Sequence, residues 1–420
     1  MFFRQNLLAT SHTSSTSTEL AQRPSTLLLV MIVSISPLTM NIYLPSLPNM
    51  AVDLQASDAQ LQLTLSVYLF SVAIAQLIIG PLSDRFGRRP VLLAGLTLFL
   101  AATLFCRSTT SIEALIIARG VQAIGGCAGM VVGRAMVRDV STRTTAASLL
   151  GYVTMGMAIA QMIGPAIGGL LDGFYGWRAS FDLLLLVGGL LLVLVVVKLR
   201  ETNLTPQESI TPRALLRTNI ALLKEPRFWA FAMTGAAASG VFFAFLGGGP
   251  IISQRIMGLE AFEYGLYFSL IAAGYAVGNY LSGRFSVSVG PPRMIFYGNV
   301  ISLCGLLLMM VLFLAGLVHP LVLFGTMLIT SLANGLTMPN SISGALSVRP
   351  ELAGTASGLA GSIQVFFGAV ATVITGAFIH LGVWPLVLIM LMSAVLALAS
   401  GLLANRMEAA ANDAPETKEA

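Results

Sequence analysis

Long apolar runs alternate with short polar breaks along the whole chain, and the runs are close to the ~20 residues that a bilayer-spanning helix requires. In order they predict helices over 26–48, 59–82, 91–106, 112–134, 145–171 and 179–199, then 227–250, 262–286, 292–315, 319–343, 352–379 and 383–405. The longest break, 200–225, holds Pro206 and Pro212 and no run of spanning length. The pattern therefore predicts an all-α integral membrane protein of twelve transmembrane helices. Two six-helix bundles, 26–199 and 227–405, are joined by a linker at 200–226 and flanked by polar tails at 1–25 and 406–420.

Composition agrees. Of 420 residues, 56% are hydrophobic and 10% charged, whereas a water-soluble domain carries about a quarter charged residues to solvate its surface. The surface must face lipid. A net charge of +5 raises nucleic-acid binding as a possibility, but the basic residues cluster in the breaks between apolar runs rather than along one polar face. With both termini in the cytoplasm, the inside loops receive Arg85, Arg88, Arg89, Arg134, Arg138, Arg143, Lys198, Arg200 and others, and the outside loops only Arg107, Arg178 and Arg255. That asymmetry is the positive-inside pattern of a membrane protein. No nucleic-acid partner is expected. The Ser/Thr-rich segment 10–18 precedes the first apolar run without a signal-peptide pattern, which predicts a cytoplasmic tail and an uncleaved first helix.

Three scattered cysteines (Cys106, Cys127, Cys304) and three isolated histidines (His12, His319, His380) offer neither a disulfide framework nor a metal site. No nucleophile–base pair or paired carboxylates lie within the spans, so no catalytic residue, metal or organic cofactor is expected and an enzyme reading is set aside.

The halves repeat weakly. Leu82-Ser83-Asp84-Arg85-Phe86 after the second helix is echoed by Leu281-Ser282-Gly283-Arg284-Phe285 after the eighth. The segment 133–138, ending the fourth helix, is echoed by 344–349, ending the tenth. Parallel repeats imply a pseudo-two-fold axis along the membrane normal with a substrate site between the halves.

Most specific is Gly80-Pro81-Leu82-Ser83-Asp84-Arg85-Phe86-Gly87-Arg88-Arg89. Gly80 permits close helix approach and Gly87 a tight reversal. Asp84 is suited to pair with an arginine or to cap a neighbouring helix. The string reads either as a latch between the halves or as a basic turn that sets topology. Arg119, about two turns into an apolar helix, with Gln122 one turn further on the same face, reads as the organiser of a polar network or as a structural arginine. Gly164-Pro165 and Gly168 predict a bend and a smooth packing face, either sealing the cytoplasmic side or simply kinking the helix.

The first string resembles the signature loop of the major facilitator superfamily. Arg119-x-x-Gln122, and Gly151, Ala160 and Gly164-Pro165-Ala166-Ile167-Gly168, are similar to motifs of its drug:proton antiporter branch, with Ala123 and Ala160 standing where glycine is usual. Tyr43-Leu44-Pro45-Ser46-Leu47-Pro48, Val137-Arg138-Asp139 and Ala353-Gly354-Thr355-Ala356-Ser357-Gly358 resemble the bicyclomycin/chloramphenicol-resistance (Bcr/CflA) subfamily. The resemblance covers nearly the whole chain without its tails. It implies a monomeric multidrug exporter of the bacterial inner membrane that works by alternating access. Its substrates would be small amphiphilic compounds of the phenicol or bicyclomycin kind, and its coupling ion the proton. The alternative is a facilitator or symporter of a small metabolite on the same fold.

Coupling to protons needs a titrating group within the membrane. The subfamily carries an aspartate just before its Tyr-Leu-Pro segment, where this chain has Asn41. Asp182, with Arg178 as its expected neutralising partner, and Asp84 are left as candidates. Substrate contacts are expected from mid-span polar and aromatic residues: Asn41, Tyr68, Arg119, Gln122, Gln161, Phe242, Tyr267, Asn334 and Gln364, with Met155 and Met338 as adaptable walls. The Gly247-Gly248-Gly249-Pro250 run is expected to unwind the outer end of the seventh helix as a gate.

Overall fold

A computed structural model describes residues 24–140, 143–203, 219–349 and 352–413 of the chain. The predicted tail 1–25 except its last two residues, most of the linker, and 414–420 lie outside the described residues. Twelve long helices are present among those described. They are α1 (Thr26–Asn41, continued by a 3-10 turn Leu44–Ser46 and a short helix Leu47–Asp53), α2 (Asp58–Phe86), α3 (Arg88–Ser108), α4 (Ile112–Val140), α5 (Arg143–Tyr175) and α6 (Arg178–Lys198). The second set is α7 (Pro226–Ile251, followed by a π turn Ile252–Ile256), α8 (Ala261–Val289), α9 (Pro291–Leu314), α10 (Pro320–Ser347), α11 (Ala353–Phe378, followed by a 3-10 turn Ile379–Leu381) and α12 (Trp384–Asp413). Ten of these spans meet the length and hydropathy of a membrane crossing; α5 and α8 complete the bundles by length and packing.

Local chemistry sets the helix ends. Ser57 and Gln60 form a reciprocal capping box at the start of α2. Pro226, Pro291 and Pro320 occupy first-turn positions, where the missing N–H costs nothing. Gly87 reverses the chain between α2 and α3 at φ +94°, a conformation that a side chain would strain. Several helices outrun their expected ends, because polar residues continue a helix once it has left the apolar layer. α12 runs to Asp413, and α8 continues four residues past Phe285 before its own turn glycine, Gly290.

The packing repeats between the halves. α1 lies on α5 as α7 lies on α11, α2 on α4 as α8 on α10, α3 on α4 as α9 on α10, and α3 on α6 as α9 on α12. The halves meet along α2–α11 and α5–α8, pairs that a two-fold rotation exchanges. Large aliphatic side chains left outside the bundle, such as Leu186, Leu190, Val193 and Val197 of α6, form one helical stripe, as expected where lipid is the solvent. α7, by contrast, is buried almost throughout. Below, the end bearing the linker is the linker end and the opposite end the distal end.

Candidate functional site

Between the halves at mid-depth lies a cavity of about 120 Å³. Gln161 of α5 lines it from the first half; Ser239, Phe242, Phe268, Asn334 and Gln364, with Met338, line it from the second. Gln161, Gln364 and Phe243 also border a neighbouring crevice lined by Ser36, Tyr68, Gln76 and Arg134. Gln76 and Arg134 recur in a third crevice, at the linker end, between Asp84, Arg88 and Asp139 on one side and Thr355, Ser357 and Gly358 of α11 on the other. A chain of crevices with shared walls, polar at the linker end and mostly apolar at its middle, thus runs from the linker end towards the cavity. The cavity wall itself is aromatic, aliphatic, amide and hydroxyl (Ser239, Ser331, Tyr275), without a charged side chain.

The distal end is sealed by contacts that cross between the halves. Arg255 Nη1 pairs with Asp58 Oδ2 at 2.6 Å. Gln254 Nε2 donates to the Pro45 carbonyl at 2.8 Å, and Gln62 Nε2 donates to the Gly247 carbonyl. Small residues let the backbones close: Gly169 faces Ala261, and Gly265 faces Pro165 and Ala166. The Gly164-Pro165-Gly168 face therefore packs α5 against α1 and α8 towards the distal end, not the cytoplasmic side that the sequence led one to expect, because it lies in the half of α5 that leads away from the linker; a Cβ on Gly168 would fall on the Ile42 carbonyl.

Arg119 is completely buried in the first half. Its guanidinium lies between the rings of Tyr43 and Tyr68, 4.1 and 4.4 Å from their centroids. Nη1 donates to Gln122 Oε1 at 2.6 Å and to the Thr39 carbonyl at 3.4 Å, and Gln122 Nε2 donates on to Thr103 Oγ1 at 2.8 Å. No carboxylate pairs with it among the described residues. Two desolvated aromatic faces, each worth up to about 2 kcal/mol, take the place of a counter-ion. Tyr68, held by Ser36 at 3.0 Å, separates this network from the crevice.

The signature string forms a second network at the linker end. Arg88 Nη1 meets Asp84 Oδ1 at 2.5 Å, and its Nε meets Asp139 Oδ2 at 2.9 Å. Glu201, just past α6, accepts the backbone N–H groups of Arg88 and Arg89 at 2.8 and 3.0 Å, capping α3. Partial burial works against the Glu201 charge, but backbone donors from Asn203, Arg88, Arg89 and Thr202 outweigh it and hold the carboxyl below the usual glutamate range. Asn203 Nδ2 bonds the Asp84 carbonyl at 2.9 Å. Arg85 lies over the Phe86 ring.

Of the expected substrate contacts, Gln161, Phe242, Asn334 and Gln364 line the cavity and Tyr68 the adjoining crevice. Arg119 and Gln122 stand behind Tyr68. Asn41 is buried against Gly164, its Nδ2 on the Pro37 carbonyl at 2.8 Å and its Oδ1 unpaired. Tyr267 stacks on Phe324 in an aromatic cluster, ring centroids 5.1 Å apart. The Met155 side chain lies outside the described residues. Asp182 departs from expectation: it pairs with Arg107, half-exposed at the distal end, while Arg178 pairs with Asp53 at 2.6 Å because the α6 N-terminus turns that arginine towards α1. The glycine run 247–249 does not unwind; α7 passes through it and loosens only at the π turn from Ile252. Sequence reasoning missed Gln62, which alternates with Gln60 and Thr64 at the polar start of α2 and so gave no distinct signal. It also missed Glu201, for which nothing local marked a cap.

Comparisons with known proteins bear on what this architecture serves. The model of the Major Facilitator Superfamily matches residues 29–372. The chain is 31% identical to the uncharacterized MFS-type transporter YdgK of Bacillus subtilis, over 83% of this chain and 87% of that protein. It is 29% identical to multidrug resistance protein D of Escherichia coli K12, over 80% and 84%. It is 28% identical to the bicyclomycin resistance protein homolog of Haemophilus influenzae, over 83% and 89%. The crystal structure of a bacterial homolog of the human lysosomal transporter Spinster, inward-facing and unoccupied, superposes with a TM-score of 0.68 at 17% identity, over 93% of this chain and 97% of that one.

Proposed function

Since this chain belongs to the major facilitator superfamily, we propose that it exports small amphiphilic drug-like compounds by alternating access, with proton re-entry as the driving step. Relatives named for multidrug and bicyclomycin resistance support the class of substrate. The cavity supports its chemistry. Aromatic rings and amide side chains with no charge suit uncharged molecules that present a flat apolar face and a few hydrogen-bonding groups. This uncharged aromatic–amide cavity, reached from the linker end and closed at the other, is the observation that carries the reading.

In this reading the linker end is cytoplasmic, in agreement with the basic residues gathered there, the membrane is the bacterial inner membrane, and the protein acts as a monomer with lipid and substrate as its partners. Substrate enters along the crevice. Closure of the linker end brings Asp84, poised on Arg88, towards the N-terminal turn of α11 at Thr355 and Ser357, where a carboxylate meets the positive end of the helix dipole. The Arg255–Asp58 and Gln254–Pro45 contacts then part and the cavity opens outward.

A second reading, facilitated diffusion of a metabolite, is favoured by one residue: Asn41 cannot titrate. One assay separates the two. In inverted vesicles holding a proton gradient, a phenicol added to the medium collapses part of the gradient if export is proton-coupled and leaves it intact if it is not. Phe242→Ala and Gln364→Ala each weaken apparent affinity about tenfold in the first case, the loss expected for one buried contact of about 1.4 kcal/mol. No effect of a phenicol- and bicyclomycin-like panel on the gradient overturns the exporter reading.

A further inference from the structure

Among the described residues, one acidic side chain is buried: Asp172, 6% exposed, near the C-terminus of α5. Its Oδ2 accepts from Asn49 Nδ2 at 2.6 Å. Its Oδ1 is enclosed and has no partner. The Ser46 hydroxyl faces the carboxyl as a second, more distant donor beside Asn49. Among the described residues no cation pairs with Asp172. Taking an ionised carboxylate out of water without a cation costs several kcal/mol, whereas the neutral acid gains a proton with which to satisfy an orphan acceptor.

The position is as informative as the burial. Asn49 and Ser46 belong to the distal continuation of α1, the segment on which Gln254 of the second half also rests through Pro45. Asp172 and Asn49 line a distal groove shared with Gln254, Arg255 and Glu260. The charged groups facing this region from neighbouring elements are engaged elsewhere. Arg255 pairs with Asp58, Asp53 pairs with Arg178, and Glu260 and Glu263 form the capping box of α8. Asp172 thus lies beside the contacts that close the distal end, on a groove that parting of the two halves would widen.

We infer that Asp172 is the proton-binding residue of the distal gate: it takes up a proton from the distal compartment when the gate is open, and the gate closes over the neutral acid. The balance is simple, one proton from solvent joining Oδ1 with no other bond made or broken. In the exporter reading, on which the direction of this step rests, the proton supplies the closing stroke after substrate has left. The gate chemistry itself depends only on burial and geometry, so it is testable without a substrate.

The experiment uses the full chain in lipid nanodiscs, in a background without the three native cysteines. Spin labels sit at Val52 and Leu381, exposed positions on the distal rims of the two halves. The label separation is followed from pH 5 to 9. The native protein is expected to shift from gate-closed to gate-open as pH rises. Asp172→Asn, which mimics the neutral acid, is expected to stay closed with its pH response lost, and Asp172→Glu to keep a response. A pH response in Asp172→Asn equal to the native one overturns the proposal, as does a native separation that does not change with pH. If the response tracks Asp172 while no drug dissipates a gradient in vesicles, the exporter reading fails and the gate assignment stands.

Discussion

Glu201 Oε1 accepts the backbone N–H of Arg88 at 2.8 Å, so a residue just beyond the sixth helix caps the third. The cap holds Arg88 where its side chain reaches Asp84 and Asp139, and it ties the start of the linker to the loop that faces α11 across the crevice.

Removing that cap should loosen the linker end. Glu201→Ala is expected to cost about 1 kcal/mol, visible as a lower thermal midpoint in detergent. The carboxyl is held below its unfolded value, so its contribution is full above the ordinary glutamate range and is lost as pH falls through the folded value. Native protein and variant should therefore differ at neutral pH and converge in acid, as followed by thermal unfolding across a pH series.

Arg119 should tolerate no replacement, lysine included. A lysine keeps the charge but cannot lie flat between Tyr43 and Tyr68 while reaching Gln122. Both Arg119→Lys and Arg119→Ala are expected to lower transport at least tenfold at normal membrane levels, read by drug accumulation in cells alongside immunoblotting.

At the distal seal, Arg255→Ala removes a partly exposed ion pair worth about 0.2–1 kcal/mol. The gate-open fraction should rise, by up to about fivefold at the upper figure, in labelling of a cysteine placed in the distal groove. Gly168→Ala strikes the same region harder, because its methyl meets the Ile42 backbone, which cannot step aside. A loss of about 1–3 kcal/mol is expected, whereas Gly189→Ala, with open space around it, should be stable. Thermal unfolding of the two variants checks the contrast.

Asn41→Asp would restore a titratable group to α1. The unpaired Oδ1 accommodates it, but the bond from Nδ2 to Pro37 is lost unless the acid is protonated. The expected result is export that depends more steeply on the proton gradient than in the native protein, measured as drug efflux at graded external pH. Unchanged coupling would count against a role for this position.

The hydrophobic pattern by itself determined the number of helices, their order, the two bundles and the side on which charge collects, because lipid sorts residues by simple transfer cost. It also marked Arg119 and Gln122, whose polarity inside an apolar run needed an explanation. Tertiary structure alone decided which polar groups meet. Gln161 and Gln364 share a cavity only because the halves pack two-fold along α2–α11 and α5–α8, and Arg107, not Arg178, reaches Asp182 because of how α3 lies on α6. Asp172 looks from its sequence position like one more polar residue at a helix end. Only the fold of α1 back across α5 buries it, since contacts between residues far apart in the chain leave no local trace.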